Sequence, residues 1–150
     1  MPNATFVEMA LPAVRLAQKS VRVHTMGEVG PTVGPLFDEV NRLIDSAGLT
    51  RRGPGVAHYL DTGDGVIVAA GEQVDTTPPG LDEVVLPAVA RAVTIEYEGA
   101  ELSGIAAAWQ SLVLQVQRLA ATPTGPCREV YHTPGVDGRW RVELQQPVLD

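Results

Sequence analysis

The sequence contains one cysteine, Cys127, in 150 residues. A lone thiol closes no internal disulfide and completes no zinc-binding pattern, so the reducing cytoplasm is the expected compartment. Basic residues are scarce, with 11 Lys and Arg against 18 Asp and Glu and a net charge of −7. The densest basic cluster is the pair Arg51–Arg52, and without a basic face no nucleic-acid partner is expected. An acidic surface instead repels anionic substrates and mildly favours cations. No run approaches about 18 consecutive apolar residues, which argues against a membrane-spanning helix. The N-terminal "MPNATFVEMALPAV" carries a glutamate and no basic n-region, unlike a signal peptide. His24, His58 and His132 fit no metal-ligand spacing, so neither a metal nor a cofactor is expected. There is no nucleophile-elbow serine, and the Gly-rich "GEVGPTVGP" matches no phosphate-binding loop. "DTGDG" (61–65) reads as a turn.

What is present is an internal repeat within a single domain, residues 1–150. "LPAV" occurs at 11–14 and again at 86–89. A shift of 72 residues places "TRRGPGVAHY" (50–59) on "TPTGPCREVY" (122–131), matching Thr50 with Thr122, Gly53 with Gly125, Pro54 with Pro126 and Tyr59 with Tyr131. The preceding segments are periodic at helical spacing. Without a gap, the same shift sets Val33 on Ile105, Phe37 on Trp109, Val40 on Leu112, Ile44 on Val116 and Ala47 on Leu119. Each half, about 1–74 and 82–150, is therefore read as strand, helix, strand, strand. The strands are placed at 14–24, 56–60 and 66–71, then at 89–97, in "REVYH" and in "RWRVELQQPV". Helices are placed at about 32–47 and 101–121, and "DTTPPGLD" (75–82) is the linker. The expected class is α+β: two antiparallel sheets, each backed by one helix and related by a pseudo-twofold axis, with a ligand cleft between the halves.

Side chains alternate across a strand, so Ala57 and Tyr59 share one face and Glu129 and Tyr131 share its equivalent. Ligand sites favour junctions of this kind, and these four positions are the expected lining of the cleft. Phe37 and Trp109 form a further equivalent pair, divided between core packing and the cleft edge. Glutamate is depleted in strands and is seldom buried without a partner. Glu129, standing where the first copy has Ala57, is the charge that breaks the symmetry.

"LPAV" leading into a strand, the helix bearing Phe or Trp, "GPGVAHY" and "GPCREVYHTP" with a closing "PV", supported by "LPAVARAVTIEYEG", resemble the GyrI-like small-molecule-binding family. That family is also described as the effector-binding domain of bacterial multidrug-sensing transcription activators. The resemblance covers almost the whole chain. It implies the tandem strand–helix–strand–strand fold and a cleft for bulky, cationic or planar aromatic compounds. It also implies that Glu129 reads positive charge, with Tyr131, Tyr59 and Trp109 as the matching aromatics; the repeat adds Ala57 and Phe37 to the expected ligand-binding residues. Two departures stand out. A segment usually reading histidine–glycine–x–tyrosine is "EGAEL" (98–102), with Glu98 and Glu101, and the chain looks like a stand-alone version without a DNA-binding segment.

The leading expectation is thus binding of a hydrophobic or cationic small molecule for drug or toxin sensing. The alternative is hydrolysis of reactive cyclopropane-containing genotoxins, as in some stand-alone members, with Glu129 activating water and Tyr131 or Tyr59 stabilising the oxyanion. A third reading is a protein-interaction module such as a topoisomerase inhibitor. The sequence leaves homodimerisation open.

Overall fold

The computed structural model describes residues 5–133 and 139–149. These residues form an α+β fold of antiparallel strands and two helices: β1 (Phe6–Leu11), β2 (Val14–Val23), α1 (Val29–Ser46), β3 (Gly55–Asp61), β4 (Val66–Glu72), β5 (Asp82–Leu86), β6 (Val89–Gly99), α2 (Ile105–Arg118), β7 (Thr122–Pro123), β8 (Cys127–Thr133) and β9 (Trp140–Leu149). The expected "TPGVDG" turn falls largely outside the described residues.

The chain divides into two compact units. The first is Ala13–Pro87, and the second combines Met1–Pro12 with Ala88–Asp150. In the first unit the strands lie in the order β3-β4-β2-β5; in the second the order is β1-β6-β9-β8, with β7 paired to β9. Three strands were not anticipated: β1, β5 and the two-residue β7, which pairs with β9. β1 pairs with β6 (Leu11 opposite Val89) and β5 pairs with β2 (Leu86 opposite Val14). The "LPAV" segments are therefore crossings where the chain leaves one unit for the other, not simple strand starts. Proline suits the place, because it lacks the N–H that a continuing ladder needs.

Within the chain each unit contains strand, helix, strand, strand: β2, α1, β3, β4 and β6, α2, β8, β9. Helix α1 begins earlier than its apolar spacing suggests. Pro31 lies in its first turn, where N–H groups have no intrahelical acceptor, so the ring costs little there. A 3-10 turn at Met26–Glu28 leads in, and the Thr25 N–H donates to Glu28 Oε1 at 3.1 Å. Val29, Val33, Leu36, Val40 and Ile44 form the buried stripe of α1. Helix α2 is shorter than expected at its start, because Leu102–Gly104 form a 3-10 turn; it buries Leu112 and Val116.

Both helices end in a Schellman motif. After α1, Leu49 N–H bonds to Ile44 O at 3.2 Å and Gly48 N–H to Asp45 O at 3.1 Å, with Gly48 at φ +69°. After α2, Ala121 N–H bonds to Val116 O at 3.2 Å and Ala120 N–H to Gln117 O at 3.0 Å, with Ala120 at φ +54°. The same left-handed position is thus glycine in one unit and alanine in the other.

The core of the first unit gathers Ala17, Val40, Ile44 and Val74, with Leu49 and Leu81 against it. The second unit gathers Val93, Ile95, Leu112, Val116, Val142, Leu144 and Val148. Burying a side chain of this size contributes about 1.5–3 kcal/mol, so these clusters fix which sheet face each helix covers.

Candidate functional site

In the second unit α2 covers the face of β8 that carries Glu129 and Tyr131. Glu129 lies opposite Leu144 and Tyr131 opposite Val142, and both of those residues belong to the core beneath α2. In the first unit Tyr59 lies opposite Val68 and Val68 opposite Val21, on the face where Ala17 meets α1. Alternation therefore grouped the side chains correctly: Glu129 and Tyr131 lie on the face beneath α2, and Ala57 and Tyr59 are buried in the first unit. Ala57, Tyr59 and Glu129 are buried and Tyr131 is half-buried. An amphipathic helix must cover its apolar stripe, and the strand faces opposite are the apolar surface available to it.

Glu129 is only 4% exposed. Its Oε2 accepts from the Trp109 indole N–H at 2.6 Å, and its Oε1 accepts from the Tyr131 hydroxyl at 2.5 Å. Trp109 is placed by α2, one turn beyond Ile105 on the stripe that leads to Leu112 and Val116. Tyr131 follows Glu129 by two residues along β8 and so shares its face. Trp140, at the start of β9, meets Tyr131 edge to face, with ring centroids 6.3 Å apart and planes at 84°. Trp109, Tyr131 and Trp140 are all half-buried and pack against the same core cluster.

Each oxygen of Glu129 thus holds one neutral donor. Among the described residues no Lys, Arg or His forms an ion pair with this carboxylate. Hydrogen bonds satisfy its geometry and leave its charge uncompensated, and a buried charge in that state costs several kcal/mol relative to water. Burial, followed by the charge and hydrogen bond of Glu129, pushes the Tyr131 phenol well above its ordinary value. Tyr131 therefore stays a donor across the physiological range.

Arg128, the neighbour of Glu129, points to the opposite face and is 2% exposed, donating to Pro12 O at 3.2 Å. Burial pushes its guanidinium down from the ordinary value. Its contact is with the crossing segment, a structural role that "GPCREVY" does not announce.

Of the six predicted ligand-binding residues, the second unit brings together Glu129, Tyr131 and Trp109. Phe37, Ala57 and Tyr59 belong to the first unit, where Ala57 and Tyr59 are buried and Phe37 half-buried. Glu98 and Glu101 are exposed. The Tyr97 hydroxyl donates to Glu101 O, and its ring lies so close to Gly104 that a Cβ there would meet Tyr97 Cε1 at 2.7 Å. That contact anchors the turn from which α2, and with it Trp109, departs. Trp140 was missed by sequence reasoning. Its signal was available, since it shares the parity of Val142 and Leu144 on β9. Among the described residues no group of three or more His, Cys, Asp and Glu could hold a metal ion, and no helix is long and apolar enough to cross a membrane.

Neither a family model nor a curated protein matches the sequence. Solved structures do match. The chain is similar to the C-terminal domain of EcmrR, with a TM-score of 0.75, 20% identity and 98% of each chain covered. It is similar to SAV2435 bound to tetraphenylphosphonium, with a TM-score of 0.70, 11% identity, and 97% of this chain and 94% of that chain covered. It is more distantly similar to a hydrolase from Listeria innocua, with a TM-score of 0.56, 12% identity, and 99% and 94% covered. The chain shares its fold with these proteins.

Proposed function

We propose that the protein binds a lipophilic organic cation at Glu129, with Trp109, Tyr131 and Trp140 as its aromatic surround. One observation carries the reading: Glu129 is a buried carboxylate whose two partners are both neutral. A cation placed against it supplies the missing counter-charge, and aromatic faces add about 0.5–2 kcal/mol each through cation–π attraction. Because each oxygen already holds a donor, the site suits a cation that offers charge without N–H groups, such as a phosphonium or quaternary ammonium. The half-buried rings of Trp109 and Tyr131 are the groups that must move to admit it. The binding of tetraphenylphosphonium by SAV2435, a protein of the same fold, supports this reading. So does the common element order of the two units, which we read as two copies of one strand–helix–strand–strand motif.

Titration calorimetry with tetraphenylphosphonium tests the proposal. Glu129→Gln keeps the shape and removes the charge, and is expected to weaken binding about 30-fold or more, the scale of about 2 kcal/mol for losing a desolvated charge partner. A neutral analogue of the same shape should lose little.

A second reading, hydrolysis, has one specific point in favour: a buried carboxylate, Glu129, stands 2.5 Å from the hydroxyl of Tyr131, a base beside a donor of the kind that stabilises an oxyanion. Turnover of an electrophilic cyclopropane compound, abolished by Glu129→Gln, would establish it.

A further inference from the structure

The outward faces of the two helices differ in charge. Along α1 the exposed positions include Asp38, Arg42 and Asp45, the usual solvated face of an amphipathic helix. The 72-residue shift sets these on Gln110, Leu114 and Gln117 of α2. From residue 102 to residue 117 the sequence holds no Asp, Glu, Lys, Arg or His. This uncharged stretch still reaches the surface. Val113 is 47% exposed and Leu114 52%, and Ala106, Ala107, Gln110 and Gln117 are exposed beside them. An apolar patch bordered by polar groups marks an interaction surface.

The order of side chains along this face points to its occupant. Gln110 is the midpoint: Ala106 and Ala107 stand four and three residues before it, Val113 and Leu114 three and four after. Residues at these spacings share one helix face. A second α2 laid antiparallel on the first, with a twofold axis at Gln110, sets Val113 and Leu114 of each copy against Ala106 and Ala107 of the other. Large side chains then meet small ones on both sides of the axis, and the ridges of one helix find hollows on the other. Gln110 meets its own equivalent, where two amides can exchange hydrogen bonds. At the ends, exposed Arg118 of one copy comes beside the segment that carries exposed Glu101 of the other, a pairing of opposite charges. A lipid surface fits less well, because a helix that lies on a membrane carries Lys and Arg along its polar face, and α2 has only Arg118 in its last turn. In a chain of net charge −7, an uncharged face is also where two copies repel each other least.

We propose that the protein self-associates through α2, as an antiparallel twofold helix pair centred on Gln110. Identical patches related by a twofold axis are the commonest form of self-association. Helix α2 has 14 residues and is about 21 Å long, and a single face of that length falls short of the roughly 800 Å² per partner of a standard stable interface. The dimer is therefore a reversible one, and the surface goes beyond the cation site without depending on it.

Sedimentation equilibrium of the full chain from about 10 μM to about 1 mM tests the proposal. A monomer–dimer equilibrium is expected. Leu114→Glu sets a charge against the alanines of the other copy, and Ala107→Leu fills their hollow; each should raise the dissociation constant about tenfold or more. Ser46→Glu, which adds the same charge at the end of α1, should leave it unchanged, as should Glu129→Gln. The exchange of Ala107→Leu combined with Leu114→Ala brings large against small again and should recover most of the affinity. A chain that stays monomeric throughout, including one that binds phosphatidylglycerol vesicles instead, would overturn the proposal. So would an equal effect of Ser46→Glu and Leu114→Glu, or an exchange variant no better than Ala107→Leu alone. Circular dichroism shows whether each variant folds, and if Ala107→Leu does not, Leu114→Glu against Ser46→Glu decides.

Discussion

In the second unit the buried carboxylate stands on β8, and each of its oxygens accepts a short hydrogen bond from an aromatic donor. In the first unit the equivalent position on β3 is Ala57, and the buried carboxylate stands on the next strand, at Glu72, where burial raises its pKa while Asn41 and Arg51 favour its charged form. The helix aromatics follow suit. Trp109, which can donate, faces the carboxylate of the second unit, whereas Phe37, which cannot, borders that of the first. Two units with the same element order thus hold a buried carboxylate in two ways, one between two aromatic donors and one beside an amide and a guanidinium. A fold fixes where a side chain can stand, while the neighbouring donors decide what ligand chemistry that side chain suits.

Substitutions that make one unit resemble the other sharpen this comparison. Trp109→Phe gives α2 the residue that α1 has, and leaves Glu129 Oε2 without its donor. Thermal or denaturant unfolding should show a loss of about 1–3 kcal/mol, the cost of an unsatisfied buried acceptor. An unchanged midpoint would mean that water replaces the indole at no cost. Next in size are the helix ends. Ala120→Gly should stabilise by about 0.5–1 kcal/mol, because alanine is strained at φ +54°, and Gly48→Ala should destabilise by about 1 kcal/mol. Shifts of the same sign in both variants would contradict the shared Schellman geometry.

The smallest effect concerns Glu72 and pH. Its folded-state pKa is raised by burial, so the folded chain retains a proton that the unfolded chain releases. Its contribution is therefore most favourable below the ordinary carboxyl value and is lost as pH rises through the raised folded value. Glu72→Gln, neutral throughout, should gain stability relative to the parent as pH rises across that window. A constant difference between the two chains would place the Glu72 carboxyl in a water-like environment.

Much of this arrangement was legible in the residues. The helix stripes, the β3–β4 and β8–β9 segments and the singular position of Glu129 follow from period-3.6 and period-2 patterns and from laying one half of the chain on the other. What escaped has physical causes. "FVEMAL" and "DEVVL" are edge strands with exposed acidic residues, so neither shows a clean alternation, and pairing across the chain crossing is invisible to local patterns. Which sheet face a helix covers is a tertiary choice, so the side chains on β3 and β8 could be grouped but not assigned to a surface. Glu72 follows a glycine at the end of "VIVAAG" and reads as the start of a loop, while the ladder in fact extends to it. Trp140 adjoins the residues 134–138 that lie outside the described structure, and only its parity with Val142 and Leu144 ties it to the site.

The central claim is that the uncompensated charge of Glu129 holds a lipophilic cation. The most direct measurement is the affinity for tetraphenylphosphonium of the parent chain and of Glu129→Gln, each checked for intact folding. The account predicts one bound cation per chain and an affinity lower by about 30-fold or more in the variant. Equal affinity in both chains would contradict it.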